Sequence, residues 1–267
     1  MSVISASGVL PMPESRLGPS VARMCALETR YAFVGLLRLP HYSMATIGFP
    51  VMFYLLFGLS FGNRGGGLKA SEYLLAGYAV FGMITAALFA FGAGIANERA
   101  SGWLLLKQAA PLPAWVYLTA KVVTCMIFGL VILALLAALG VTLGGVQFSA
   151  RAWLQLAGVV ALGCAPFCLI GLALGCVIPP SGAPGIVNMI NLPLAFAGGL
   201  WMPYEMLPKA LQAIAPFVPQ YHVGRLALIS VGLVNEPAST HVAMLALFTV
   251  VGGLCAAAAY RRASREG

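Results

Sequence analysis

The chain contains no aspartate, and its acidic residues number only seven, all glutamate. Only three histidines occur, and just 8% of the 267 residues are charged. Soluble domains carry about 25% charged residues, so a surface this poor in charge cannot be kept in water. The scarcity of acids and histidines removes the usual means of metal-assisted hydrolysis, and no H-E-x-x-H pattern occurs. Six cysteines are present, but no two stand in a C-x-x-C pair. Cys164 and Cys168 share a helix face without an acidic or histidine neighbour, which suits packing better than metal binding. Ionisable residues are also missing from the middle of the apolar runs, which argues against a proton relay.

What the chain does have is hydrophobic length. Hydrophobic residues make up 61% and the mean hydropathy is +0.94. A bilayer-spanning helix needs about 20 apolar residues. Six such runs are expected, with cores at His41–Phe61, Tyr73–Ala96, Val116–Leu143, Leu154–Ile178, Ala183–Trp201 and Ser239–Tyr260. The fourth and fifth form one uncharged stretch, which "PPSGAPG" at Pro179–Gly185 must break. The fold class expected is therefore an all-α polytopic membrane protein. No cleaved leader is expected, since charges are scattered through the first forty residues and the first apolar run is too long.

The net charge of +8 follows topology. With the N-terminus inside, Arg16, Arg23, Arg30, Arg38, Arg99, Lys107, Lys121, Arg261, Arg262 and Arg265 face the cytoplasm. Only Arg64, Lys69, Arg151, Lys209 and Arg225 lie outside. This asymmetry places both termini in the cytoplasm, as for a bacterial inner-membrane protein, and leaves no need for a nucleic-acid partner. The expected organisation is a tail and interfacial helix at 1–38, a membrane domain at 39–260 and a short tail at 261–267.

Two segments read as neither spans nor plain loops. Ser20–Pro40 mixes four charges with apolar residues and has no breaker before Pro40, which predicts an amphipathic helix at the inner headgroups. Met202–Gly232 is apolar but cut by Pro203, Pro208, Pro216 and Pro219, which predicts short helices dipping into the outer leaflet. "GNRGGGLKAS", Gly62–Ser71, is only superficially a phosphate loop, because Leu68 separates the last Gly from Lys69 and Ala70 follows it. The chain itself shows no nucleotide site.

Between the second and third runs lies "NERASGWLLLKQAAPLPAWVYLTAK", Asn97–Lys121, whose charges stand apart from the uncharged sequence on both sides. It predicts a short cytoplasmic helix, stopped by Pro111–Pro113 and re-anchored by Trp115 and Tyr117. Within the spans, Phe81, Thr85 and Phe89 form a stripe at spacing four. Asn188 and Asn191 share a face before Pro193. These residues either pack between helices or line a path for a semi-polar solute. Gly58 and Gly62, Gly140 and Gly144, and Gly171 and Gly175 have the spacing of close helix contacts.

Arg38–Gly58, Asn97–Lys121 and Asn191–Leu228 together resemble the ABC type-2 membrane permeases, and the order of parts agrees along nearly the whole chain. The resemblance implies a half-permease that pairs with a second copy or a sister chain. It also implies a separate cytoplasmic ABC ATPase that holds the ATP and magnesium, with no cofactor on this chain. Glu98, Arg99, Gly102 and Leu105 would face that ATPase, with Pro111 and Pro113 shaping the turn. Trp103 stands where many members carry Ser or Thr. Ser20–Pro40 would be the elbow helix. Phe81, Thr85, Phe89, Asn188 and Asn191 would border the path. The function implied is export of a hydrophobic or amphipathic, drug-like compound. Export of a polysaccharide or lipid-linked glycan is the alternative, and a membrane scaffold or intramembrane enzyme the alternative of another class.

Overall fold

The computed structural model describes residues 20–62, 70–103 and 113–266, and among them every regular element is helical. Helix α1, Val21–Leu37, begins at Ser20, whose hydroxyl accepts the Arg23 N–H and so satisfies one free donor of the first turn. This is the expected Ser20–Pro40 helix. It lies against α4, Ala114–Thr142, with the Phe33 and Phe128 rings 4.7 Å apart and the Thr124 hydroxyl donating to Thr29 O at 3.4 Å.

A second helix, α2, covers 40–62 but is not regular. Wide turns occur at Met44–Gly48 and Tyr54–Gly58, where the N–H of Phe49 reaches Met44 O and that of Leu59 reaches Tyr54 O. Pro50 has no N–H to offer the preceding turn, and a widened turn just before it accommodates the ring. Both wide turns fall within its apolar stretch Met44–Gly58.

The centre of the fold is α3, Ala70–Ala100, whose most apolar stretch is entirely buried. It too contains a wide turn, at Phe89–Ala93. α4 packs antiparallel to it, and the fourth run divides into α5, Ala150–Leu162, and α6, Ala165–Val177, at Gly163–Cys164. Pro166 accounts for the division, since it fits a first turn but not a helix interior. The expected break at Pro179–Gly185 is a tight turn, Pro180–Gly182, followed by α7, Ala183–Ala197. α7 ends sooner than the expected Trp201, because the chain turns at Gly198–Gly199 with Gly199 at φ 72°.

The expected outer helices are α8, Lys209–Ile214, and α9, Pro219–Ser230. Each opens at a proline, Pro208 capping α8 and Pro219 starting α9. The last helix, α10, Ala238–Glu266, runs past the expected Tyr260. Among the described residues, four helical stretches are long and apolar enough to cross a membrane: Ala70–Ala100, Trp115–Thr142, Ala150–Val177 (α5 with α6) and Ala238–Arg262. Of the other two expected spans, α2 covers the whole of His41–Phe61 as an irregular helix, and α7 is shortened by the turn at Gly198–Gly199. α7 has 15 residues, a rise of about 22 Å against a hydrocarbon core of about 30 Å. The protein is an all-α polytopic membrane protein.

Close backbone approach holds α3 to α6. A Cβ on Gly175 would lie 2.5 Å from Phe91 O, and one on Gly171 would lie 2.9 Å from the Phe91 Cβ. The Gly171/Gly175 pair thus meets the wide turn of α3. Gly140 and Gly144 sit instead beneath the Tyr54 hydroxyl, which pairs with Ser71 at 2.7 Å.

Candidate functional site

Two adjacent residues near the end of α3 bind to two different helices. The Glu98 carboxylate accepts from Lys121 Nζ at 2.9 Å and from the Tyr117 hydroxyl, both on α4. Lys121 also donates to Tyr117 at 2.7 Å and is 4% exposed. A buried ammonium needs such partners, because desolvation without them is costly. Arg99, one residue on and about 100° around the helix, turns to α6. Its guanidinium donates to Cys176 O and, at 3.1 Å, to Ile178 O. Carbonyls at a helix C-terminus lack intrahelical donors and carry the negative end of the macrodipole, so a guanidinium satisfies both needs.

The helix then stops. Gly102 follows at φ 70°, a left-handed conformation that side chains resist, and Trp103 is half exposed beyond it. Pro113 is exposed and caps the first turn of α4. Leu105, Lys107 and Pro111, like Arg16 and the Arg64–Lys69 part of the phosphate-loop-like segment, lie outside the described residues. The expected docking residues Glu98 and Arg99 therefore bond inward to α4 and α6, while Gly102 and Trp103 are the open positions. Sequence spacing could not reveal the Glu98–Lys121–Tyr117 cluster, since its members stand on either side of the Pro111–Pro113 turn.

The expected path residues lie at the meeting of α3 and α7. Phe81, Thr85 and Phe89 are buried on α3. Thr85 Oγ1 donates to Phe81 O at 2.8 Å and accepts from Asn191 Nδ2 at 3.0 Å. Asn191 is fully buried, and its Oδ1 has no hydrogen-bond partner among the described residues. Asn188, one turn earlier, is half buried. The structure thus joins Thr85, Phe81 and Asn191 in one contact and leaves Asn188 at its edge.

Beside this contact stands an aromatic cluster that periodicity did not single out. Trp201 packs against Phe53 at 5.5 Å and edge-on to Phe81 at 5.4 Å. Phe49, Phe53 and Phe57 continue it along α2 with stacked rings 5.9 and 6.0 Å apart. The spacing of four from Phe49 to Phe57 is a signal that was available, but Trp201 reaches it only through the turn at Gly198–Gly199.

A polar network on α9 was not anticipated either. Arg225 donates to Glu236 through Nε at 3.1 Å and through a second nitrogen, and lies 3.5 Å from Glu205. His241 Nε2 is 3.1 Å from the same Glu236, and His241 and His222 face each other Nδ1 to Nδ1 at 3.0 Å. His222 Nε2 meets Pro216 O at 2.8 Å, so that nitrogen must carry a proton. Burial pulls the His222 pKa below its ordinary value, and the hydrogen bond from Arg225 pulls that of Glu236 down. Among the described residues no group of three His, Cys, Asp or Glu is placed to hold a metal.

Comparison with known proteins agrees with this architecture. The profile of the ABC-2 type transporter family matches residues 25–231, from α1 to just past α9. The provisionally named transport permease YvfS of Bacillus subtilis (strain 168) is 26% identical over 189 residues, which is 70% of this chain and 77% of that protein. The matched stretch includes the α3 terminus, the α3–α7 contact and Arg225 with His222 and Glu205, and it ends before Glu236 and His241. With most of its length so matched, the chain belongs to the ABC-2 type transporter family.

Proposed function

We propose that the chain is the membrane half of an ATP-driven exporter whose cargo is a hydrophobic or amphipathic compound. The chain is a transmembrane ABC transporter subunit, and membership of the family implies an ATPase partner and a paired permease. The observation that carries the choice of cargo is the aromatic cluster of Phe53, Phe81 and Trp201 beside the Thr85–Asn191 contact. Ring faces and one half-buried amide, Asn188, suit a compound with apolar bulk and few polar groups. In this reading the path runs past Asn188 and the exposed edges of Phe49 and Phe57. Thr85 and Asn191 hold α3 to α7 behind it, with Phe81 and Phe89 as its wall.

The ATPase docks at the turn between α3 and α4, against Gly102, Leu105, Pro111 and Pro113. Its motion reaches α4 through Glu98 and α6 through Arg99. ATP and magnesium are bound by that partner. Six helices cross the bacterial inner membrane, counting the irregular α2 and the shortened α7, with both ends in the cytoplasm.

The test is reconstitution in proteoliposomes with a Walker-box ATPase encoded beside the gene. ATP-dependent movement of a hydrophobic cationic dye, absent with an ATPase Walker-lysine variant, supports the reading. An ATPase that binds but moves only a glycan carrier would overturn the cargo, and failure of any such ATPase to bind would overturn the function. Cysteines placed at Ser101 and Asn235 in a cysteine-free background should be labelled from the cytoplasm and from outside, respectively.

A further inference from the structure

We infer that the indole N–H of Trp201 is a hydrogen-bond donor kept for the cargo, so that the protein prefers apolar compounds carrying an oxygen acceptor. The inference rests on the proposed function for the identity of the bound compound as cargo. Trp201 Nε1 is buried, yet it has no acceptor among the described residues. An indole nitrogen can only donate, and when buried it ordinarily finds a partner. Leaving it unbonded costs stability, so such an orphan calls for a physical reason. Two acceptors, Asn191 Oδ1 and Gln220 Oε1, are also buried and unpartnered, but the fold keeps both out of bonding reach of the indole.

A slack backbone is not that reason. The Tyr73 hydroxyl on α3 is shared between Gly199 O and, at 3.0 Å, Met202 O, which clamps the chain on both sides of Trp201. A Cβ on Gly77 would overlap Leu200 O, and one on Gly224 would lie 2.7 Å from Leu200 Cδ2. α3 and α9 thus press on the residue just before Trp201. The main chain is fixed, and the ring turns only about its own side-chain torsions.

The surroundings select the ligand. Phe53, Phe81 and Phe196 stand around the indole with ring centroids 5.5, 5.4 and 6.5 Å away, the last two edge-on. None of these side chains has an acceptor atom, and a ring face offers at most a weak N–H···π contact. Trp201 is only half buried, so one part of its ring is open to a ligand. An apolar compound fits among the rings, and a carbonyl or ether oxygen on it takes the indole proton. A plain hydrocarbon of the same shape leaves that proton stranded, and a site that offers a hydrogen bond discriminates against an analogue that cannot complete it.

The test uses the full chain in lipid nanodiscs with isotope-labelled tryptophan and two tricyclic probes. Fluorenone carries one carbonyl oxygen, and fluorene has no acceptor. Among the indole N–H signals of the four tryptophans, the one that Trp201→Phe removes belongs to Trp201. It should stand at an unbonded position in the free protein and move downfield with fluorenone but not with fluorene. After correction for uptake by protein-free nanodiscs, the wild type should bind fluorenone about fivefold more tightly than fluorene. Trp201→Phe should bind the two alike. A signal already at a bonded position in the free protein would overturn the inference. So would equal binding of the two probes by the wild type, or a Trp201→Phe variant that keeps the preference. If Trp201→Phe does not fold, Trp103→Phe with Trp115→Phe and Trp153→Phe leaves the Trp201 signal alone, and a signal unmoved by fluorenone overturns the inference. Binding needs no ATPase, so failure here leaves ATP-driven export standing, and failure of export leaves the donor standing.

Discussion

Asn191 donates from Nδ2 to Thr85 Oγ1 across 3.0 Å, and both residues are buried between α3 and α7. Hydrogen bonds between membrane helices average about 0.6 kcal/mol, but stranding a buried amide costs more, about 1–3 kcal/mol. Thr85→Val should therefore destabilise the protein more than the bond alone is worth, because it leaves the amide unpaired. Asn191→Leu with Thr85→Val should recover part of that loss. A thermal-unfolding double-mutant cycle in detergent measures it, and strict additivity would show that the contact carries no energy. Asn188→Leu should leave the unfolding temperature within a degree or two while changing which compounds are exported.

Two glycines give opposite signs for the same substitution. A Cβ on Gly175 would stand 2.5 Å from Phe91 O, which is backbone and cannot rotate away. Gly175→Ala should cost about 1–3 kcal/mol by forcing α6 from α3. Gly158 on α5 has nothing within 4 Å of its Cβ position. Gly158→Ala should be neutral or stabilising by up to about 1 kcal/mol, through helix propensity and a less free unfolded chain. Unfolding midpoints of the two variants, measured side by side, check the pair.

Coupling should fail selectively at the end of α3. Arg99→Gln shortens the reach to Cys176 O and Ile178 O, so the ATPase should still bind and hydrolyse ATP while transport falls at least tenfold. Gly102→Trp should insert normally but lose transport, since φ 70° strains any side chain and a large one occupies the open position before the docking turn. Transport and hydrolysis measured on the same proteoliposomes decide this. Equal loss of both would mean that the ATPase no longer docks.

Acid should weaken the α9 network. The folded-state pKa of His222 lies below its ordinary 6.5, so the unfolded chain takes up a proton first as pH falls, and stability declines from about pH 6.5 downward. Glu236 is also depressed, below 4.5, and adds a second loss under that value. The unfolding temperature of the wild type should fall between pH 7.5 and 5.5, whereas that of His222→Gln should be nearly flat. A wild-type profile that rises toward acid would contradict the geometry.

The helices were legible because apolar runs ended at charges, prolines and glycines, and α1 because no breaker stands between Ser20 and Pro40. Irregularities inside the helices were less so. Pro50 and Pro166 mark trouble in the sequence, but whether a chain answers with a wide turn, as before Pro50, or a break, as at Gly163–Cys164, depends on the neighbours it must touch. Asn191 stood out as an amide in an apolar helix, yet its partner Thr85 is more than a hundred residues away. Glu98 and Arg99 looked like a charged surface because a charge near a helix end usually is one. Only the positions of Lys121 and of the α6 carbonyls turn them inward. Arg225, Glu236, His222 and His241 are spaced without any repeating pattern, so their assembly belongs to the packing of α9 on α10 alone.

The wide turn at Phe89–Ala93 amounts to one extra residue in an otherwise regular helix. Deleting a single residue there would restore the regular winding and leave everything below it facing nearly as before, because the wide turn takes up its extra residue locally. Deleting one from the regular stretch above it would instead swing Glu98 and Arg99 by about 100° around the axis, away from Lys121 and the α6 carbonyls together, although neither had been altered. The wide turn is thus slack in the helix, and the facing of its lower end depends on the number of residues outside that turn.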